Sequence, residues 1–301
     1  MKCSEIYSTR RMNNQRAEKK NFLKVLLVIL PIFLVFIVVL LSLILKGRWG
    51  NIGLLEIKGP IYSSREYISD IKFFEETNFV KGVLIRLETP GGSVGAVQEI
   101  YHEVLKLSQK KPVVASMGNI SASGGYYIAC AANKIFANPG TLTGSIGVIF
   151  EYMNLEGVLQ AIKVKPVVFK SGKFKDAGSP FRKLDAEEEK YLQGIIDELY
   201  LQFRNVVKER RNLSEEMLDE VANGKVFTGE SALKYGLVDA IGTMNDALQE
   251  LKKMTGIEKE KIVRPPKRRV PFLKKILGFL NDESLLNFKG EGEFSYKMVL
   301  P

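Results

Sequence analysis

At 301 residues the chain is long enough for one sizeable domain with appendages. A hydrophobic content of 46% excludes an intrinsically disordered polymer. The formal net charge of +10 points to nucleic acid or a membrane surface, but the basic residues gather at the two ends and no nucleic-acid module or interleaved aromatic–basic pattern occurs, which argues against nucleic acid.

The first 24 residues carry seven Lys or Arg, among them Arg10, Arg11, Arg16, Lys19, Lys20 and Lys24. Residues 25–45 then run without a charge. At about 1.5 Å per residue such a helix spans roughly 31 Å, the thickness of a hydrocarbon core. Pro31 is compatible with a membrane helix. The exit, Lys46-Gly-Arg-Trp49, has no Ala-x-Ala-like cleavage site, so a retained anchor is expected, with Trp49 at the interface. The excess of positive charge before the span predicts a cytoplasmic N-terminus and an extracytoplasmic domain. The expected organisation is a basic cytoplasmic tail at 1–24, an anchor at 25–45, a linker at 46–51, a catalytic domain at 52–250 and a basic C-terminal extension at 251–301.

From Asn51 onward, short apolar runs alternate with helical stretches. Leu54–Ile57, Gly82–Leu87, Pro112–Ser116 and Lys134–Ala137 read as strands, and Ser64–Thr77 and Val94–Ser108 as helices. Repeated strand–helix units predict an α/β fold with parallel strands. A short apolar helix is expected over Tyr126–Ala132. A long helix is expected after Leu184, with Asp185 as N-cap and Glu188 closing a capping box. Its stripe of Tyr191, Leu192, Ile195, Ile196, Leu199, Phe203, Val206 and Val207 is a packing face. Gly224–Asp239 reads as a strand, a short helix and a return. Beyond Leu251 the chain becomes basic and proline-punctuated; Pro271–Leu280 is expected to dock on the domain or lie on a membrane, and Phe294–Pro301 to form a flexible tail.

The residue types available for chemistry are few. The only histidine, His102, lies in an ordinary amphipathic helix. Cys3 and Cys130 suggest neither a pair nor a metal site, and Cys130 reads as a small buried hydrophobe. Ser123, in Ile120-Ser-Ala-Ser-Gly-Gly-Tyr126, sits where small residues meet a helix start. The plain reading is an N-cap; the chemical one is a nucleophile whose oxyanion is received by backbone amides. Pro90-Gly91-Gly92 is a bare turn after a strand, and the amide of Gly91 or Gly92 could pair with that of Gly124 as an oxyanion hole. With histidine elsewhere, lysine is the expected base. A free lysine has a pKa of about 10.4, so it must be desolvated to act near neutrality. Lys170, Lys173 and Lys175 are the candidates, and Ser145 is either a hydroxyl that orients the lysine amine or a second nucleophile.

Five motifs occur in order: Pro90-Gly91-Gly92; Ser121-Ala-Ser-Gly-Gly-Tyr-Tyr127; Asn138-Pro-Gly-Thr-Leu-Thr-Gly-Ser-Ile-Gly-Val148; Lys170-Ser-Gly-Lys-Phe-Lys-Asp176; and Gly224-Lys-Val-Phe-Thr-Gly229. From about Leu54 to Gly242 the chain closely resembles the short, single-domain bacterial form of the signal peptide peptidase A family, which belongs with the Clp-type proteases and crotonases built from repeated ββα units. The resemblance implies Ser123 as nucleophile, Lys175 as general base, Gly92 and Gly124 as oxyanion donors, and Ser145 bonded to the lysine. It implies no metal or organic cofactor, a dome-shaped homo-oligomer of eight subunits in which Ser and Lys meet across a subunit boundary, and cleaved signal peptides in the membrane as substrates. Two positions depart from the pattern: Glu88-Thr89 stands where the family has Asn or Asp and then Ser, and Ser121 stands where alanine is usual. The alternatives are a protease that cuts one regulatory protein, a non-catalytic peptide-binding scaffold, and a crotonase-like acyl-CoA enzyme, the last disfavoured because an extracytoplasmic domain has no access to CoA.

Overall fold

The computed structural model describes residues 30–37, residues 51–266 and the backbone of residues 293–297. Residues 30–37 are helical; the rest of the expected anchor lies outside the described residues, and among those no helix is long and apolar enough to cross a membrane. The expected docking segment Pro271–Leu280 also lies outside them.

The domain follows the anticipated alternation: β1 (Ile52–Lys58), α1 (Arg65–Glu76), β2 (Gly82–Thr89), β3 (Gly91–Ser93), α2 (Val94–Lys110), β4 (Val113–Ala122), α3 (Gly124–Ala129) and β5 (Lys134–Ala137). There follow β6 (Leu142–Gly144), β7 (Ile149–Glu151), α4 (Glu156–Ala161), α5 (Ala186–Arg211), α6 (Glu215–Val221), β8 (Val226–Thr228), α7 (Gly229–Lys234), β9 (Ala240–Ile241), α8 (Met244–Thr255), β10 (Ile262–Val263) and β11 (Glu293–Lys297). The central sheet has the order β10-β1-β2-β4-β5-β9, with all these neighbours parallel. Near its C-terminal end β4 also pairs with β6, which pairs antiparallel with β8.

Both faces of this sheet are covered, which is why its strands read as continuous apolar runs. Leu55, Ile57, Val83, Ile85, Val113 and Ala115 face one core with α1, α2, α3 and α5. The alternate residues Leu54, Leu84 and Val114 face a second, smaller core with Ala247 and Leu251 of α8. Tyr101, Tyr127 and Phe203 pack edge-on or tilted, with centroids 5.0 and 4.9 Å apart, and tie α2, α3 and α5 together.

Helix α5 begins as expected: the Asp185 side chain accepts from the Glu187 and Glu188 amides, and Glu188 returns a bond to the Asp185 amide. Three boundaries differ from expectation. β4 extends to Ala122, because its second half pairs with β6. The domain does not close at 250: α8 runs to Thr255, and Ile262–Val263 adds an edge strand to β1. Residues 294–297, the start of the expected flexible tail Phe294–Pro301, belong to a strand, β11. β11 lies antiparallel between β3 and β7, with Tyr296 opposite Gly92 and Phe294 opposite Phe150.

Candidate active site

The site forms where β2 and β4 end. After β4, Ser123 turns into α3 with φ 52° and ψ −115°. A non-glycine residue at positive φ costs on the order of 1–3 kcal/mol and persists only where its surroundings impose it. Here the constraints are explicit. The Ser123 amide donates to the Gly144 carbonyl at 2.7 Å, and its own carbonyl accepts from the Tyr127 amide at 2.9 Å. The side chain makes no capping bond, so the N-cap reading fails. Ser123 is 1% exposed and its Oγ has no hydrogen-bond partner among the described residues. A buried hydroxyl left unsatisfied costs about 1–3 kcal/mol. A residue that is both strained and unsatisfied contributes nothing evident to stability.

The neighbouring amides are arranged by β3. Gly91 has φ 101°, which only glycine adopts readily. Its amide donates to Thr89 Oγ1 at 3.1 Å. The unusual Glu88-Thr89 pair thus has a definite local role: Thr89 holds the turn, and Glu88 is drawn aside by Arg86 Nη2 at 3.1 Å. On one edge of β3, the Ser93 amide donates to the Ile61 carbonyl at 2.8 Å and the Ile61 amide to the Gly91 carbonyl at 2.9 Å. Strand alternation turns the amide of Gly92 to the other edge, towards β11. A Cβ on Gly92 would meet the Ile61 carbonyl, with Ile61 C and N each 2.6 Å away; only glycine lets the two segments approach so closely. Gly124 is the first residue of α3, where no helix carbonyl can accept its amide.

Ser145 directly follows the residue that accepts the Ser123 amide, and it too has positive φ, 51°, held by its amide bond to the Lys225 carbonyl at 2.7 Å. It borders a cavity of about 420 Å³ lined also by Ile146, Val148, Ile149 and Tyr200. The Ser123 amide bond to Gly144 sets Ser123 and Gly124 near Ser145, and α3 lies against β3, which carries Gly92. Lys175 is exposed on a turn at 173–178. Lys170 and Lys173 are engaged in ion pairs with Asp176 and Glu187. His102 is exposed on α2 beside Tyr101. Cys130 is buried, and burial pushes its thiol up to about 12.

Residues 105–258 match peptidase family S49, and residues 56–142 match the Clp protease family. A putative protease of Synechocystis sp., slr0021, is 42% identical over 234 residues, 76% of this chain and 83% of that relative. The chain belongs to peptidase family S49. This S49 chain is a serine peptidase, and its α/β sheet agrees with the Clp protease match. The putative signal peptide peptidase SppA of Enterococcus faecium is 39% identical over 193 residues, 64% of this chain and 56% of the relative. The chloroplastic serine protease SPPA of Arabidopsis thaliana is 34% identical over 214 residues, 69% of this chain and 32% of the relative. The chain thus spans about half and a third of the length of these two. Thr89 as the holder of the glycine turn and β11 as a strand are not among the expectations from the sequence. A Thr two residues before Gly91 is a readable turn signal; pairing across some two hundred residues is not.

Proposed function

We propose that this S49 peptidase is a membrane-anchored endopeptidase that degrades remnant signal peptides and similar apolar peptides with a Ser123–Lys175 dyad, its domain extracytoplasmic and its subunits assembled as a homo-oligomer. The observation that carries the proposal is Ser123 itself: strained, buried, unpartnered, and beside the Gly124 amide. In the first step neutral Lys175 Nζ takes the Ser123 Oγ proton as Oγ attacks the scissile carbonyl. The amides of Gly92 and Gly124 receive the oxyanion. Lys175 returns the proton to the leaving amine, then deprotonates the water that cleaves the acyl-enzyme. Ser145 orients the lysine.

Three features support the rest. Ser123 Oγ has no hydrogen-bond partner among the described residues, which leaves it free to take a base from a neighbouring subunit. The Lys175 segment is flanked by an exposed apolar run, Val164, Val167, Val168 and Phe169, of which Phe169 is 96% exposed. Such a run marks an interface. The groove between β3 and β7 accepts an extended strand, as β11 demonstrates in cis, and an extended peptide substrate would pair in the same way.

The test is hydrolysis of a fluorogenic peptide with an apolar P1 residue by the full-length chain in detergent. Ser123→Ala and Lys175→Ala should each abolish turnover while still assembling. Mixed oligomers of the two inactive variants should regain activity, because one copy brings the serine and its neighbour the lysine. Full activity of Ser123→Ala would overturn the assignment in favour of Ser145. Failure of mixed oligomers to regain activity would overturn catalysis across the boundary.

A further inference from the structure

Lys175 sits in a segment with no regular strand or helix between α4 and α5, yet a general base must be placed to within a fraction of an ångström. The two residues beside it are both fastened to the start of α5. Phe174 packs on Tyr191 with ring centroids 4.9 Å apart. Asp176 is held by Arg182: Nε donates to Oδ2 at 3.0 Å, Nη2 to Oδ1 at 2.8 Å, and Nη2 also to the Asp176 carbonyl at 3.2 Å. The other edge of the same guanidinium forks onto Glu188, with Nη1 donating to Oε2 at 2.7 Å and Nη2 to Oε1. Nη1 also reaches the Lys183 carbonyl at 3.1 Å.

Glu188 is an unusual carboxylate for a helix first turn, being only 1% exposed. It is fixed a second time by accepting the Asp185 amide at 3.1 Å, the return arm of the capping box. Helix α5 is anchored in the main core by Phe203 and Val207. A continuous path therefore runs from the core through α5, Glu188, Arg182 and Asp176 to the peptide next to Lys175. Lys170 also pairs with Asp176, at the Oδ1 that Arg182 Nη2 bonds. Among the described residues, none of the ion pairs in this segment uses the Lys175 ammonium. Lys175 is exposed between two anchored neighbours.

We propose that Arg182 is a positioning residue for catalysis, a guanidinium clamp between Asp176 and buried Glu188 that sets where the Lys175 amine is presented to Ser123. The inference rests on Lys175 as the base. Arg is suited to the task because its planar fork fixes two carboxylates in one plane, which a lysine ammonium cannot do.

The experiment measures kcat, KM and oligomer mass of the full-length chain for Arg182→Met, Arg182→Lys and Asp176→Asn, each alone and combined with Lys175→Ala. The rate of Ser123 acylation by a fluorophosphonate provides a readout where turnover is too slow. Displacing a catalytic group by about 1 Å costs on the order of 100-fold. Arg182→Met should lower kcat by that order with KM and assembly unchanged, and Arg182→Lys should recover only part of it. In the Lys175→Ala background Arg182→Met should change acylation less than about twofold, because two residues acting through one group are not additive. Unchanged kcat in Arg182→Met, or an equal loss with and without Lys175, overturns the clamp. If Arg182→Met fails to assemble, Asp176→Asn carries the same test from the loop side. Retention of activity in Lys175→Ala alone would instead overturn the dyad, whatever Arg182 does.

Discussion

Gly92→Ala tests the oxyanion strand most sharply. The new Cβ must displace the Ile61 backbone, because Ile61 C and N would each lie 2.6 Å from it. Backbone atoms cannot swing aside as a side chain can. The β3 segment must therefore part from Ile61 and give up the Ile61-to-Gly91 and Ser93-to-Ile61 bonds. Each contributes about 0.5–1.5 kcal/mol net, so about 1–3 kcal/mol of stability is lost. For a domain of this size that lowers the melting midpoint by about 2–4 °C per kcal/mol. The Gly92 amide moves with its strand, and loss of one oxyanion donor costs about 2.7–4 kcal/mol, or roughly 100- to 1,000-fold in kcat. The assay is fluorogenic peptide hydrolysis beside thermal unfolding followed by circular dichroism. Gly95→Ala is the control: it lies three residues on in α2 with open space at its Cβ, and alanine there should stabilise by about 0.5–1 kcal/mol. A Gly92→Ala protein with kcat within threefold of the parent and an unchanged midpoint would refute the assignment of this strand.

Ser123→Ala should abolish activity and leave stability equal or higher by about 1 kcal/mol, since it removes an unsatisfied buried hydroxyl; a clear fall in the melting midpoint would mean that the hydroxyl is structural. Deleting residues 293–301 should raise kcat/KM for added peptide, because β11 occupies the groove beside Gly92; unchanged kinetics would show that the strand does not compete with substrate. Arg182, with the Asp185 amide assisting, holds the Glu188 carboxyl down to about 2, against 4.5 when free. The unfolded chain therefore binds the extra proton first, so this contribution is complete above about pH 4.5 and is lost as pH falls towards 2. Urea midpoints at pH 6 and pH 3 should consequently fall less in Arg182→Met than in the parent, and equal falls would contradict the pairing. In a Cys3→Ser background, Cys130 should resist thiol reagents at pH 8 until the chain unfolds, because burial raises its pKa; rapid labelling of the native protein would contradict that burial.

Much of the fold is legible in the chain because its determinants are local. The Lys134–Ala137 strand, the α1 and α2 helices and the Asp185–Glu188 capping box follow from apolar periodicity and cap chemistry. The glycine turn at 90–92 and the small-residue turn at Ser123 are equally visible, since backbone strain demands particular residue types in sequence. What these signals leave open is partnership. Thr89 and Ser121 read as substitutions in a motif, yet they are simply neighbours across the β2–β4 pairing, where Thr89 also carries the Gly91 amide.

The sequence by itself determined the element types, the parallel α/β class, the serine and glycine candidates and the family, because each rests on spacing within a few residues or on motif order. Tertiary structure alone decided that Ser123 is strained and has no side-chain partner among the described residues, that Gly92 must be glycine because Ile61 lies against it, that residues 293–297 form the middle strand of a second sheet, and that the Lys175 segment is fastened to α5 through Arg182. These are contacts between residues far apart in sequence or set by chain geometry. Long-range contacts obey no period: they form where packing and hydrogen bonding of the whole chain outweigh the entropy of closing the loop between them.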